Sequence, residues 1–470
     1  MNRTRTLALC GAVGLFAVGT MLLARRTPPA PPPPALRAPL ATAASGLPSF
    51  LVIVPDTFRA DRVGRVDNGV PVTPNIDALA ARGATFTHAY SASGWTLPAL
   101  ASLLSGRYPL APSTTEDTSL DFLRTDLQDL PELLQAAGYH TAVFWGPFMG
   151  KAPAEFSRGF DHVVTETGDT FENGVVGWLK AQDRRPFFAL VHNSDLQFPV
   201  VSVPGDPLLT TPPASAEVGL EPTFQVWLSK VSFEQARQTA SRAYDATVTR
   251  YDAAIGRMVA GLTEAGVADE TVLVVTSNHG IELGEHGHYK HGNLNDYDLH
   301  IPLVVVDPQL PRRGVRIDTV VQTMDLAPTL LERAGRRAGA DLTGRSYLAL
   351  LGLGTAPYAE RDVYSLCSTT TMSLRTPRFK LSRSAPKGAG EESVVTVVYD
   401  LGRDPQELTP YLPPFSPEVA AAALRLDAWW AERKAETKAA RPSGADPAAL
   451  KKLLQDNGYW GVMEGTGSGK

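Results

Sequence analysis

The residues with chemistry to offer are Asp56, Thr96, His192 and the pair Asn278-His279, each at the end of an apolar run or the start of a helical one. Asp56 follows Phe50 to Val54 after Pro55, His192 follows Phe187 to Val191, and Asn278-His279 follow Val272 to Thr276. In open parallel sheets ligands bind beyond the carboxyl ends of the strands, so three such ends would bring a carboxylate, an amide and imidazoles into one cleft. Five of the nine histidines (His279, His286, His288, His291 and His300) fall within 22 residues after one strand, a density that points to a metal or an anion. Thr96 opens the segment Thr96 to Arg107, where Pro98 suits a first helical turn, Gly106 suits the stop, and Thr96 is expected as the N-cap. A hydroxyl at the positive end of a helix would hold and attack an anionic ester once a metal ion or a base lowers its pKa.

The elements that must position these groups are legible as a pattern. Phe50 to Val54, Thr141 to Trp145, Phe187 to Val191, Val272 to Thr276 and Leu303 to Val306 are short β-branched or aromatic runs without strong alternation. They are separated by helical patterns at Pro74 to Arg82, Leu130 to Ala137 and Ala243 to Ala265, which predicts an α/β fold with a mostly parallel sheet flanked by helices. After about residue 365 the pattern changes. Met372 to Leu381 and Ser393 to Leu401 read as paired antiparallel strands, and Pro417 to about Lys434 as a helix capped by Ser416, with Leu424, Ala428 and Ala431 at helical spacing. A smaller C-terminal α+β subdomain is expected there.

The chain has 470 residues, 43% hydrophobic and 20% charged, enough for a sizeable core and too apolar for disorder. Lys and Arg total 44 against 49 Asp and Glu, so a net charge of −5 supplies no basic field for nucleic acid. Cys10 and Cys367 are the only cysteines, which excludes a disulfide framework and a cysteine zinc site; any metal takes O and N ligands. Thr6 to Ala24 carries no charge between Arg3, Arg5 and Arg25, Arg26, and reads as a signal anchor that exports the domain to the periplasmic or extracellular face. Cleavage near Ala41-Thr42-Ala43-Ala44, releasing a secreted protein, is the alternative. Eight of the 22 residues from Thr27 to Pro48 are proline, a stiff spacer. The expected organisation is an anchor or signal over 1–26, a linker over 27–48, a catalytic domain over 49–365 and the C-terminal subdomain over 366–470.

Several motifs in this order and spacing resemble the sulfatase family of the alkaline phosphatase superfamily: Val52 to Gly64, Thr73-Pro74-Asn75-Ile76-Asp77, Thr96 to Pro109, Tyr251 to Arg257, Ser277 to Gly292, and Tyr399-Asp400-Leu401 with Asp404-Pro405. The resemblance implies hydrolysis of a sulfate or phosphate ester through a metal-activated hydroxyl. It assigns Asp56, Thr96, Asn278 and His279 to one divalent ion, Thr96 also as nucleophile, and places His192, His291 and Lys290 against the oxyanion or leaving group. The ion would be Ca²⁺ by sulfatase resemblance, or Mn²⁺ or Zn²⁺ if the chain acts like a phosphotransferase. Five positions depart from the family pattern. Thr57 replaces a frequent second Asp, Asn278 the usual Asp before His279, and Gln197 an expected His. Sulfatases carry Cys or Ser in the Thr96 position, oxidised to formylglycine, and Arg in the Leu100 position; threonine cannot yield that aldehyde. A phosphoethanolamine-transferase-like phosphotransferase, or a catalytically retired homologue binding a sulfated or phosphorylated envelope polymer, remain alternatives. The loops Ser113 to Asp126 and Val201 to Phe233 are expected to set specificity.

Overall fold

The computed structural model describes residues 46–440, apart from 111–122, 125, 153, 167–168, 184, 195, 197–231, 368–370 and 385–393. The expected anchor and its cleavage site, nearly all of the linker, Gln197 and most of the two specificity loops therefore lie outside the described residues. Among the described residues no helix is long and apolar enough to cross a membrane.

In chain order the elements begin with β1 (Ser49–Pro55), a short hairpin β2 (Val66–Asp67) and β3 (Val70–Pro71), α1 (Pro74–Arg82), β4 (Ala84–Tyr90), α2 (Thr96–Ser105) and α3 (Leu130–Ala136). There follow β5 (His140–Trp145), β6 (His162–Thr165), α4 (Asp169–Lys180), β7 (Phe187–Asn193), α5 (Phe233–Glu264), β8 (Thr271–Val275), α6 (Asp296–Leu299) and β9 (His300–Val306). The chain continues through β10 (Val315–Ile317), β11 (Val321–Gln322), α7 (Leu326–Arg333), β12 (Val363–Leu366), β13 (Met372–Arg375), β14 (Phe379–Ser384), β15 (Val395–Asp400) and α8 (Pro417–Ala439).

The main sheet runs in the order β10-β4-β9-β8-β1-β7-β5-β6, with β11 also on β4. Strands β1, β7 and β8 are buried along their whole length, as continuous apolar runs with helices on both faces require. Successive side chains of β1 point to opposite faces: Phe50, Val52 and Val54 join the core that holds Leu97, Leu100, Leu134 and Leu330, from α2, α3 and α7. Leu51 and Ile53 join the other, with Leu79, Val175, Tyr244 and Ile255 from α1, α4 and α5. Each such fully buried large side chain contributes about 1.5–3 kcal/mol.

The structure corrects three expectations and adds one strand. Leu303 to Val306 belongs to β9, which pairs antiparallel with both β4 and β8. Strand β4, Ala-Thr-Phe-Thr-His-Ala-Tyr, carries too many polar residues to show as an apolar run, yet it is central to that half of the sheet. Met372 to Leu381 is not one strand: β13 turns back into β14, in the antiparallel sheet β12-β13-β14-β15. Helix α8 buries Val419, Ala422, Leu426 and Trp429, whereas Leu424 is 70% exposed. Trp429 decides that face by stacking on Tyr364 at 5.0 Å and meeting Tyr108 edge-on at 5.2 Å, which ties the helix to the chain following α2.

Candidate active site

The parallel register β8-β1-β7 sets Val54 beside His192 and Ile53 beside Val275. Beyond those pairs the Asp56 N–H donates to the Asn193 carbonyl at 2.8 Å and the Thr276 N–H to the Ile53 carbonyl at 3.0 Å. The carboxyl ends of three strands thus bring Asp56, His192, Asn278 and His279 together. Thr96 arrives from α2, a helix buried at every position and closed by Gly106 at φ 68°, whose N–H reaches the Ser102 carbonyl at 3.0 Å. The N-cap is Trp95, with extended φ and ψ and no side-chain cap, so Thr96 is the first helical residue. Its hydroxyl is thereby released from capping and turned to the site.

Thr96 Oγ1 lies 3.1 Å from His279 Nε2 and 3.4 Å from both Asp56 carboxylate oxygens. His279 Nδ1 is 2.8 Å from the Gly280 carbonyl, which places the ring proton on Nδ1 and leaves the Nε2 lone pair facing Thr96. Asn278 Oδ1 accepts the backbone N–H of His279 at 2.8 Å and of Thr57 at 3.3 Å. Those two donors orient the amide, so that Nδ2 donates to Asp56 Oδ1 at 2.7 Å and approaches His192 Nε2 at 3.4 Å. Asp56, Thr96, His192, Asn278 and His279 are all fully buried. Burial drives His279 down to about 3, and burial together with the neighbouring His279 does the same to His291; burial also lowers His192. The imidazoles are therefore neutral.

Of the other expected residues, His291 is buried with its ring 4.6 Å from that of His279, and His192 meets Trp145 edge-on at 5.8 Å. Lys290 is exposed. The histidine cluster does not act as a unit. His286 binds Glu282 and the Glu407 carbonyl, His288 is exposed, and His300 contacts the Thr87 carbonyl at 2.8 Å.

Sequence reasoning missed the frame around these groups. Ser277 Oγ accepts the Phe58 N–H at 3.0 Å and lies 2.7 Å from the carbonyls of Pro55 and His279, pinning the ends of β1 and β8 together. Tyr244, on α5, donates to the Thr57 carbonyl at 2.7 Å and accepts the Arg59 N–H at 3.1 Å. Nothing local in α5 signals that role. Asp252 caps α1 from a distance, accepting the Asn75 and Ile76 N–H groups at 2.9 and 2.8 Å, and a Cβ at Gly256 would stand 2.4 Å from Asn75 Oδ1. This contact explains why the Thr73 to Asp77 and Tyr251 to Arg257 motifs occur together.

Calcium takes six to eight oxygen ligands. Among the described residues Asp56 is the one carboxylate meeting these groups, His279 offers nitrogen, and Asn278, expected as a ligand, presents its N–H₂ because two backbone donors hold its oxygen away. Thr57, at φ 58°, has a buried hydroxyl where a second carboxylate was expected. Among the described residues no group of three or more His, Cys, Asp or Glu side chains is arranged to hold an ion. The residues present do not fit the ion.

Comparison with known proteins gives the family. The sulfatase family profile matches residues 48–336, and the profile for the N-sulphoglucosamine sulphohydrolase C-terminal region matches residues 284–414. The chain is 25% identical over 359 residues to an ulvan-active sulfatase of Formosa agariphila, covering 67% of each protein. It is 28% identical over 300 residues to human N-sulphoglucosamine sulphohydrolase, covering 57% of each. Among solved structures, the phosphonate monoester hydrolase of Agrobacterium radiobacter superposes with a TM-score of 0.63 at 20% identity, over 83% of this chain and 96% of that one. A protein solved with its substrate D-glucosamine-2-N,6-O-disulfate gives a TM-score of 0.61 at 20% identity, over 85% of this chain and 100% of that one.

Proposed function

The chain belongs to the sulfatase family, with the alkaline-phosphatase-like fold and the hydrolase character of that family, and we propose that it cleaves sulfate or phosphate esters with Thr96 as the nucleophile. One observation carries this reading: the Thr96 hydroxyl stands 3.1 Å from a His279 Nε2 whose lone pair is aimed at it by the Nδ1 contact to Gly280. A hydroxyl beside an oriented base is the arrangement nucleophilic catalysis needs. Relatives with sulfatase names and a neighbour solved with a disulfated glucosamine support the substrate class. The neighbouring phosphonate monoester hydrolase supports including phosphorus esters.

Family members generally use a divalent metal, typically Ca²⁺; because the donors here do not fit it, each step falls to side chains. Thr96 Oγ1 attacks the central sulfur or phosphorus as its proton passes to His279 Nε2, and the bond to the ester oxygen breaks. The departing alkoxide takes a proton from solvent. Water then attacks the same centre of the Thr96 ester, its proton going to solvent, while Thr96 leaves and recovers its own from His279. The N-terminus of α2, without a side-chain cap, offers backbone N–H groups and positive dipole to the equatorial oxygens, beside the His291 ring 4.6 Å from that of His279.

Turnover of 4-nitrophenyl sulfate and bis(4-nitrophenyl) phosphate by the wild type and by Thr96→Ala tests the reading. Loss of activity in the variant is expected; equal activity would remove Thr96 from the mechanism. The complete burial of Thr96, Asp56, Asn278 and His279 favours a second reading, a retired homologue that binds an anionic polymer. Wild type without turnover of either ester, but retained by a sulfated polysaccharide column, would decide for it. Export and tethering through Thr6 to Ala24 form part of the proposal, resting on that uncharged run; recovery of the full-length chain with membranes is expected.

A further inference from the structure

We propose that the Asn278 carboxamide takes over the structural work of the family's cation, so that the site is assembled with no resident divalent ion. The argument is an accounting of hydrogens. An asparagine side chain has two donor hydrogens and one acceptor oxygen with two lone pairs. Asn278 uses all four: Oδ1 accepts from His279 N and Thr57 N, and Nδ2 faces Asp56 Oδ1 and His192 Nε2. Exchanging oxygen and nitrogen would set an N–H₂ against two backbone N–H donors, so the orientation is determined by the chain and not by choice.

The surrounding acceptors take up these hydrogens. Asp56 Oδ1 receives an amide hydrogen from Asn278, His279 Nε2 receives the Thr96 hydroxyl hydrogen, and His192 Nε2 faces the second amide hydrogen. The lone pairs of Asp56 Oδ1, His279 Nε2 and His192 Nε2 each face a hydrogen, while Asp56 Oδ2, 3.4 Å from Thr96 Oγ1, shares the single Thr96 hydrogen with His279 Nε2. The second expected carboxylate is gone as well, since position 57 carries a threonine whose hydroxyl has no hydrogen-bond partner among the described residues. A divalent ion entering here would have to break the 2.7 Å contact between Asn278 and Asp56 and displace a donor that repels it. Asn278 is thus a positioning residue that holds Asp56 and His192 relative to Thr96.

The inference does not depend on the hydrolase proposal, and its test does not read turnover. The full-length chain, treated with EDTA and then freed of it, is titrated separately with Ca²⁺, Mn²⁺ and Zn²⁺ by calorimetry, and its thermal midpoint is recorded with and without each ion. No saturable binding and an unchanged midpoint are expected. The same measurements on Thr57→Asp/Asn278→Asp, which restores two carboxylates, should show saturable binding of at least one of these ions, with a midpoint that rises with its concentration. Stoichiometric metal in the wild type, or a midpoint lowered by EDTA, would overturn the proposal. So would a folded double variant that gains no affinity, because Asn278 would then not be what excludes the ion. If the double variant fails to fold, the wild-type titration decides alone.

Discussion

Lys380→Met probes how the C-terminal sheet holds the loop that carries His279. Lys380 lies on β14, fully buried, with Nζ 2.6 Å from Asp296 Oδ1 and 2.8 Å from Glu407 Oε1. Asp296 starts α6, and the carbonyls of Tyr297 and Asp298 in that turn receive the N–H groups of Ile281 and Gly280, next to His279. Removing one partner of a buried ion pair costs about 3–5 kcal/mol. The lower end applies, because Asp296 keeps Arg375 at 3.2 Å and its side chain is 18% exposed. Burial, with the Asp296 charge beside it, pushes Glu407 up to about 8, so Glu407 is protonated at neutral pH and adds little to the cost there. Its folded pKa lies above its unfolded value, so its contribution is full below about 4.5 and is lost as pH rises toward 8. In the wild type that loss ends once Glu407 ionises against Lys380; without Lys380 it continues above 8. We expect Lys380→Met to cost about 3 kcal/mol at pH 7 and to lose further stability relative to wild type above pH 8, by up to about 1.4 kcal/mol per pH unit. Urea unfolding followed by tryptophan fluorescence at pH 6.5, 8 and 9 measures it, with Glu407→Gln in the variant background removing the added slope. A cost below about 1 kcal/mol, or one that shrinks as pH rises, would refute this account.

Thr96→Ala is expected to leave stability within about 1 kcal/mol of wild type in thermal melts, since Trp95 and not Thr96 is the N-cap, while Thr96→Ser retains turnover and Thr96→Ala does not. Gly280→Ala would place a Cβ 2.1 Å from the Tyr297 carbonyl, against backbone that cannot yield cheaply; destabilisation of about 1–3 kcal/mol by urea unfolding and a displaced His279 with reduced turnover are expected. Burial opposes the charge on His286, but the hydrogen bond and charge of Glu282 outweigh it and raise its pKa. The stability this adds is full below the unfolded value of about 6.5 and is lost as pH climbs through the raised folded value; melts across that range should show a decline that His286→Ala abolishes.

What could be read from the chain itself was whatever depends on local period and on motif. The uninterrupted apolar runs of β1, β7 and β8 announced a sheet buried on both faces, the Pro74 to Arg82 helix showed in its helical pattern, and three polar strand ends pointed to one site. Period fails where polar residues alternate, as in β4, and where one apolar run contains a turn, as between β13 and β14. It also misjudged α8, because Trp429 and not the number of leucines determines which stripe faces Tyr364.

The sequence by itself determined which residue types are available: a threonine that cannot become an aldehyde, a threonine at position 57 in place of a second Asp, and an amide at position 278. Only the tertiary structure decided what they do. The Asn278 oxygen is claimed by two backbone N–H groups, one of them from Thr57, 221 residues away in the chain, and this turns a residue expected to hold a metal into a donor for Asp56. Tyr244, Ser277 and Asp252 frame the site by contacts across comparable separations. Such contacts leave no periodic trace, because a hydrogen bond between distant segments depends on where the fold sets their backbones and not on the neighbours of either residue along the chain.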